Sequence, residues 1–261
     1  MIGQDRIGNQ LKQALPDSTL LIGPSGCGKH TMADELSKYY GVPLIDITDN
    51  ISDEYIAQMQ LRALPTLYLI DLNKLSTKEQ NVALKCIEEP SETFKVILIV
   101  NNKESVLNTI INRCVQYIFD EYSKEDLLKF VPSDCTDVDM ILDVVKTPGQ
   151  LKGLTNLKFK EMIDLCSKMV SKLSVASYSN TLTIASRINY KDEYDKFDLD
   201  IFSNVLRLLF YREYLKDFKE VYYNLYLKTS EFINKMRDSR LNKKLLFENY
   251  LTNIWMEVRG C

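Results

Sequence analysis

Gly23-Pro24-Ser25-Gly26-Cys27-Gly28-Lys29-His30 lies between an apolar run, Thr19-Leu20-Leu21-Ile22, and an amphipathic segment carrying Met32, Leu36 and Tyr39-Tyr40. The order strand, glycine-rich loop, helix has a physical use. Glycines let successive backbone amides turn toward one point, the start of a helix adds partial positive charge, and Lys29 supplies a mobile cation for outer phosphates. The expected ligand is a nucleotide polyphosphate such as ATP, held by Gly23, Pro24, Ser25, Gly26, Cys27, Gly28 and Lys29, with His30 and Thr31 just beyond. A Ser or Thr hydroxyl usually ends such a loop and binds Mg²⁺, but here His30 occupies that place. Thr31 is one residue late, which turns its side chain by about 100° on a helix. Imidazole is also a poor match for a hard cation, so metal positioning is expected to be impaired.

Working outward, apolar strand-like runs recur at Thr19–Ile22, Val42–Ile47, Thr66–Ile70, Val96–Val100 and Val115–Phe119, separated by helix-like segments. Near-continuous apolar strands alternating with helices predict an α/β fold with a parallel five-stranded sheet buried on both faces. Leu67-Tyr68-Leu69-Ile70 ends in Asp71, a carboxylate placed to hold Mg²⁺ beside the phosphate loop. Leu72 follows, where a Glu that orients the attacking water would be expected. The alternation stops near Tyr122. From Ser123-Lys124-Glu125-Asp126, a capping-box pattern, onward, the sequence reads as helical throughout. Pro148-Gly149 breaks one helical block, and the charged stretch from Lys191 to Lys196 reads as a loop. The division is an α/β domain over 1–121, a small helical lid over 122–157 and an all-α region over 158–261. The Tyr-rich run from Phe210 to Tyr226 reads as helix-packing surface rather than a base-stacking platform.

Composition limits the rest. Of 261 residues, 45% are hydrophobic and 26% charged, the proportions of a folding globular chain rather than a disordered one. No apolar run approaches the roughly 18 residues that cross a bilayer, and the start of the chain lacks a secretory pattern, so the expectation is a cytoplasmic protein with no membrane partner. Cysteines at 27, 86, 114, 135, 166 and 261 form no Cys-x-x-Cys pair, which argues against a zinc ribbon or a disulfide framework. Net charge is −3. A chain this weakly charged does not bind nucleic acid by bulk electrostatics, so any such contact is local or shared between subunits.

Several motifs in fixed order resemble the clamp-loader branch of the AAA+ ATPases: bacterial DNA polymerase III delta-prime and tau/gamma subunits, replication factor C small subunits and their phage counterparts. Ile2-Gly3-Gln4 is similar to the motif that opens these chains near the adenine. Ile70-Asp71-Leu72-Asn73-Lys74-Leu75, then Gln80 to Lys85 and Glu88-Glu89-Pro90, resemble the Walker B strand and the helix after it. Ile97-Leu98-Ile99-Val100-Asn101-Asn102 resembles the sensor 1 strand, with Asn101 at its polar position. Asn112-Arg113-Cys114 is similar to the family's Ser-Arg-Cys motif, whose Arg acts on a neighbouring subunit's ATP. Thr147 to Lys152 resembles the sensor 2 segment, with Lys152 replacing the usual Arg. The zinc module that many loaders carry between the phosphate loop and Walker B is absent.

The resemblance implies an AAA+ P-loop core, a lid, and a C-terminal collar that holds subunits in a ring. It implies ATP and Mg²⁺ as cofactors, no zinc, and as partners other loader subunits, a sliding clamp and primer-template DNA. An intact trans Arg113 beside an altered own site is the pattern expected of a delta-prime-like subunit. Two other readings stand beside it: a hydrolytic loader subunit that tolerates His30 and Leu72, and a P-loop nucleotide kinase. Candidate DNA-facing residues are Lys74, Lys78, Lys85 and Lys103, while Lys235, Arg237, Arg240, Lys243 and Lys244 read as interface or solvent face.

Overall fold

The computed structural model describes residues 2–88, 93–133, 135, 137–152, 154, 156–172, 177, 179, 183–189, 197–236 and 241–259. The chain divides into two compact units, Met1–Lys129 with Thr147–Gly149, and Phe130–Lys146 with Gln150–Cys261.

In the first unit the order is α1 (Asp5–Gln13), β1 (Ser18–Ile22), α2 (Lys29–Tyr40), β2 (Leu44–Asp46), α3 (Asp53–Gln60), β3 (Thr66–Asp71), α4 (Thr77–Glu88), β4 (Phe94–Val100), α5 (Asn108–Ile111), β5 (Val115–Ile118) and α6 (Lys124–Leu128). The five strands pair in parallel in the order β2-β3-β4-β1-β5. Alternate residues of each strand serve opposite faces, as the two-residue period requires. Leu20, Tyr68, Ile70, Val96 and Leu98 pack with Ile56 and Met59 of α3 and Ala83 and Cys86 of α4. Leu21, Leu67, Leu69, Ile97 and Ile99 pack with Ile7 and Leu11 of α1 and Met32 and Leu36 of α2. Both faces of β1, β3 and β4 are therefore buried, which is why these strands read as unbroken apolar runs.

The edge differs from that expectation. Val115 and Ile118 of β5 are 48% and 63% exposed, because β5 has a neighbour on one side only and its faces are left largely uncovered. Local signals set the helix starts: the Ser52 hydroxyl accepts from the Tyr55 amide at 3.2 Å. Ser123 Oγ accepts from the Asp126 amide at 3.1 Å and donates to the Asp126 carboxylate at 3.0 Å, so the capping pattern read there is formed.

The second unit holds α7 (Val138–Val144), the end of α8 (Pro148–Lys152), α9 (Asn156–Lys172), α10 (Leu199–Asp217), α11 (Glu220–Lys235) and α12 (Lys243–Arg259). Its core is aromatic. Phe202 meets Phe247 edge-on at 5.9 Å between ring centres, and Phe232 stacks on Tyr250 at 4.5 Å. The Tyr250 and Thr229 hydroxyls satisfy each other at 2.7 Å, which lets a phenol sit buried. Tyr211, Tyr214, Tyr223 and Tyr226 pack ring against ring between α10 and α11, the helix-packing role read from the sequence.

One finding corrects the all-helical reading. Ile188–Asn189 (β6) and Phe197–Asp198 (β7) pair in parallel. Two-residue strands carry no periodic signal, so only the tertiary pairing reveals them. The loop read at 191–196, Glu89, Pro90, Arg237 and Arg240 lie outside the described residues. Among the described residues no helix is long and apolar enough to cross a membrane.

Candidate functional site

The strand order makes the site. From β1 the chain runs to the far edge at β2, returns through β3 and β4, then passes to the other side of β1 to form β5. Ligands of open α/β sheets bind beyond the carboxyl ends of the strands at such a reversal. The loop 23–28, Asp71 and Asn101 are the residues that leave β1, β3 and β4 at that end.

Gly26 and Gly28 adopt φ of 77° and 97°, values closed to most side chains, and these two residues carry the turn into α2. Lys29 begins α2 and folds back into the loop. Its Nζ donates to Gly23 O at 2.5 Å, Pro24 O at 2.9 Å and Asn101 Oδ1 at 3.0 Å, and the residue is only 5% exposed. All three ammonium donors are thus used inside the protein. Burial pushes the Lys29 pKa below the ordinary 10.5, with the nearby Cys27 thiol and Asp71 opposing the shift. Burial raises the Cys27 pKa, and Lys29 partly offsets it.

Asp71 ends β3 as a buried carboxylate. Its Oδ1 accepts from the Asn73 amide at 3.0 Å and from Asn73 Nδ2 at 2.5 Å. Asn73 Oδ1 in turn accepts from the Asn101 amide at 2.8 Å, so one side chain ties the end of β3 to the end of β4. The Asp71 amide donates to Thr48 Oγ1 at 2.8 Å, and that hydroxyl donates to Asp46 at 2.6 Å. Leu72 is buried and brings no polar group to the site. His30 and Thr31 lie exposed on the first turn of α2.

The amino-terminal segment is pinned by Gln4, which exchanges two hydrogen bonds with the Asp120 backbone, at 2.7 and 3.0 Å. Tyr122 packs against Gly3 and donates its phenol to Cys27 O at 2.8 Å, and its pKa is pushed up to about 12 by burial. Ile2 is 40% exposed beside this anchored stretch. Thr147 Oγ1 donates to Ser25 O at 3.0 Å, and the Gly149 amide to Gly26 O at 2.9 Å. Lys152 ends α8 in the second unit.

Arg113 stands apart from this cluster, just before β5. Its guanidinium pairs with Glu88 at 2.9 Å and donates to Thr109 O at 3.2 Å. Lys29, Asn101, Asp71 and the loop thus lie together at one end of the sheet. Asn73, Thr48, Tyr122 and Thr147 were not singled out as site residues. Of these, Asn73 carries a signal in its place two residues after Asp71, and Thr147 in opening the segment that resembles sensor 2.

The phosphate loop's fit to ATP and Mg²⁺ can be judged on the donors present. A glycine turn with a buried lysine suits a polyphosphate. For the metal the chain offers the Asp71 carboxylate, already shared with Asn73, and no hydroxyl at position 30. Mg²⁺ commonly binds through one or two carboxylates plus phosphate oxygens, so the residues fit it with a reduced protein share.

A parallel α/β sheet with a glycine loop, a strand-end Asp and a strand-end Asn at the switch point has the layout of a P-loop fold. A family model described as DNA polymerase III, delta subunit, matches residues 48–123. DNA polymerase III subunit gamma of Buchnera aphidicola subsp. Baizongia pistaciae is 26% identical over 180 residues, 65% of this chain and 48% of that protein. The same subunit of Buchnera aphidicola subsp. Acyrthosiphon pisum is 36% identical over 66 residues, 25% of this chain and 18% of that one. The chain therefore spans about half or less of the length of these curated relatives. A DNA polymerase III gamma-subunit-related protein of Thermotoga maritima aligns over 97% of this chain and 99% of its own, at 16% identity and a TM-score of 0.49. These sequence matches, over part of the chain, make it similar to DNA polymerase III subunits.

Proposed function

We propose that the chain is a clamp-loader subunit of the DNA replication machinery, helping to load a sliding clamp onto primer-template DNA. Its own ATP site is degenerate, and Arg113 acts on the ATP of a neighbouring subunit. The observation that carries this reading is a contrast between two surfaces. At the loop and the end of β3, His30 and Leu72 stand where a hydroxyl and a carboxylate would position metal and water. At β5, Arg113 adjoins an apolar strand that the isolated chain leaves uncovered at Val115 and Ile118, a surface suited to a protein neighbour. The Arg113–Glu88 pair is half exposed on both sides. Such pairs contribute at most about 1 kcal/mol, so the guanidinium is not locked away from a neighbour's phosphate.

In this reading the loop and Lys29 bind the phosphates, Ile2 lies near the adenine, Asn101 is sensor 1 and Lys152 is sensor 2. Asp71 and phosphate oxygens hold Mg²⁺, which when bound neutralises phosphate charge. The second unit's helices supply the lid and the collar. Lys74, Lys78, Lys85 and Lys103 are exposed. Lys85 is paired with Asp53 at 2.7 Å, which makes it the weakest of the four as a DNA contact. The relatives named as polymerase III subunits favour a loader over a nucleotide kinase and fit a cytoplasmic replication assembly.

The test is a pair of measurements. A tagged chain recovered from its source is expected to bring clamp-loader subunits with it, and the purified chain alone is expected to hydrolyse ATP negligibly. Robust magnesium-dependent turnover without partners would reject the degenerate site in favour of a hydrolytic subunit.

A further inference from the structure

The segment Thr147–Gly149 touches the phosphate loop from outside, yet the proposed nucleotide site gives no role to Thr147 or Gly149. Gly26 and Gly149 approach backbone to backbone. A Cβ on Gly26 would stand 2.8 Å from Gly149 Cα and 2.9 Å from Thr147 Oγ1, and a Cβ on Gly149 would overlap Gly26 Cα. The contact is polar as well as close. Thr147 Oγ1 donates to Ser25 O at 3.0 Å and the Gly149 amide to Gly26 O at 2.9 Å, so two consecutive loop carbonyls are held by one short segment.

The planar trans peptide turns these contacts into a statement about the cradle. In a trans unit the C=O and the following N–H point in opposite directions. Holding Ser25 O toward Thr147 sends the Gly26 N–H away from it, and holding Gly26 O toward Gly149 fixes the next peptide plane, whose Cys27 N–H donates to Pro24 O at 3.3 Å within the loop. The Gly26 amide belongs to the set that a glycine loop turns toward an anion. Gly26, at φ 77°, has the rotational freedom to lose this orientation, so something must fix it.

We infer that Thr147 and Gly149 are positioning residues for phosphate: they clasp the Ser25 and Gly26 carbonyls and thereby pre-orient the loop for a nucleotide's phosphate chain. The inference rests on the nucleotide-site reading of the loop. It assigns affinity for the phosphates, not for the base, to a segment far along the chain.

The test uses the full purified chain and equilibrium binding of ATP and of adenosine, with Lys29→Ala as control. Thr147→Val, near in shape but without the donor, is expected to weaken ATP binding by about three- to tenfold, the worth of one hydrogen bond, and to leave adenosine unchanged. Thr147→Ser should restore wild-type affinity. Gly149→Ala, whose added methyl would meet Gly26, should weaken ATP further, and hydrogen exchange at Gly26 and Cys27 should rise in both weakened variants. If Lys29→Ala abolishes ATP binding while Thr147→Val matches wild type, or loses ATP and adenosine equally, the clasp is wrong and the nucleotide site stands. If wild type binds no ATP, or Lys29→Ala binds as well as wild type, both ideas fall.

Discussion

Lys29 carries a charge in a largely buried place, satisfied by two carbonyls and one side-chain amide oxygen. Because burial lowers its pKa, the folded chain gives up this proton at a lower pH than the unfolded chain, whose lysine titrates near 10.5. Between those two values the unfolded state binds the extra proton, so Lys29's contribution to stability rises with pH across that window. Phosphate affinity moves the other way, because the neutral amine no longer attracts it. ATP binding followed by fluorescence or calorimetry is expected to decline with rising pH before 10.5 is reached. Affinity constant up to pH 10.5 would contradict the assignment.

Asn73 gives a second test at this scale. Asn73→Ala removes the side-chain bond to Asp71 Oδ1, which keeps the residue-73 amide, and leaves the Asn101 amide without its Asn73 partner, a loss of about 0.5–1.5 kcal/mol by urea unfolding together with weaker magnesium-dependent ATP binding. Lys29, Asp71 and Asn101 were legible because each sits at a fixed offset from a strand end. Asn73's bridge was not, since it depends on β3 and β4 lying side by side.

Among the elements, β1, β3 and β4 were readable because two-sided burial demands unbroken apolar residues. Burial also leaves two hydroxyls, Thr19 Oγ1 on β1 and Tyr68 OH on β3, without a partner among the described residues. Tyr68 is fully buried against Phe94, with ring centres 5.6 Å apart. Removing an unpaired buried hydroxyl relieves its desolvation cost, so Tyr68→Phe is expected to raise stability by about 1 kcal/mol in urea unfolding. A loss of that size would mean the hydroxyl has a partner. The exposure of β5 was not legible: Val115-Gln116-Tyr117-Ile118 has the composition of an interior strand. Only the strand order shows it at an edge, and that order is set by crossovers no local pattern encodes. The pairing of β6 with β7 escaped for a related reason, being two residues long.

The chain as a whole divides into two compact units with different contents. One unit carries a phosphate loop without a metal-binding hydroxyl or a water-orienting Glu, and an arginine on an uncovered edge. The other is a helical unit with an aromatic core. On the proposed function, a chain that completes a neighbour's site needs the arginine more than it needs its own turnover. The most direct measurement is DNA-stimulated ATP hydrolysis by the assembled complex carrying Arg113→Ala. A guanidinium finger is worth on the order of 10³-fold or more at the site it serves, so turnover should fall by about the full share of that site while assembly and this chain's own ATP binding persist. Unchanged turnover in an intact assembly would contradict the account.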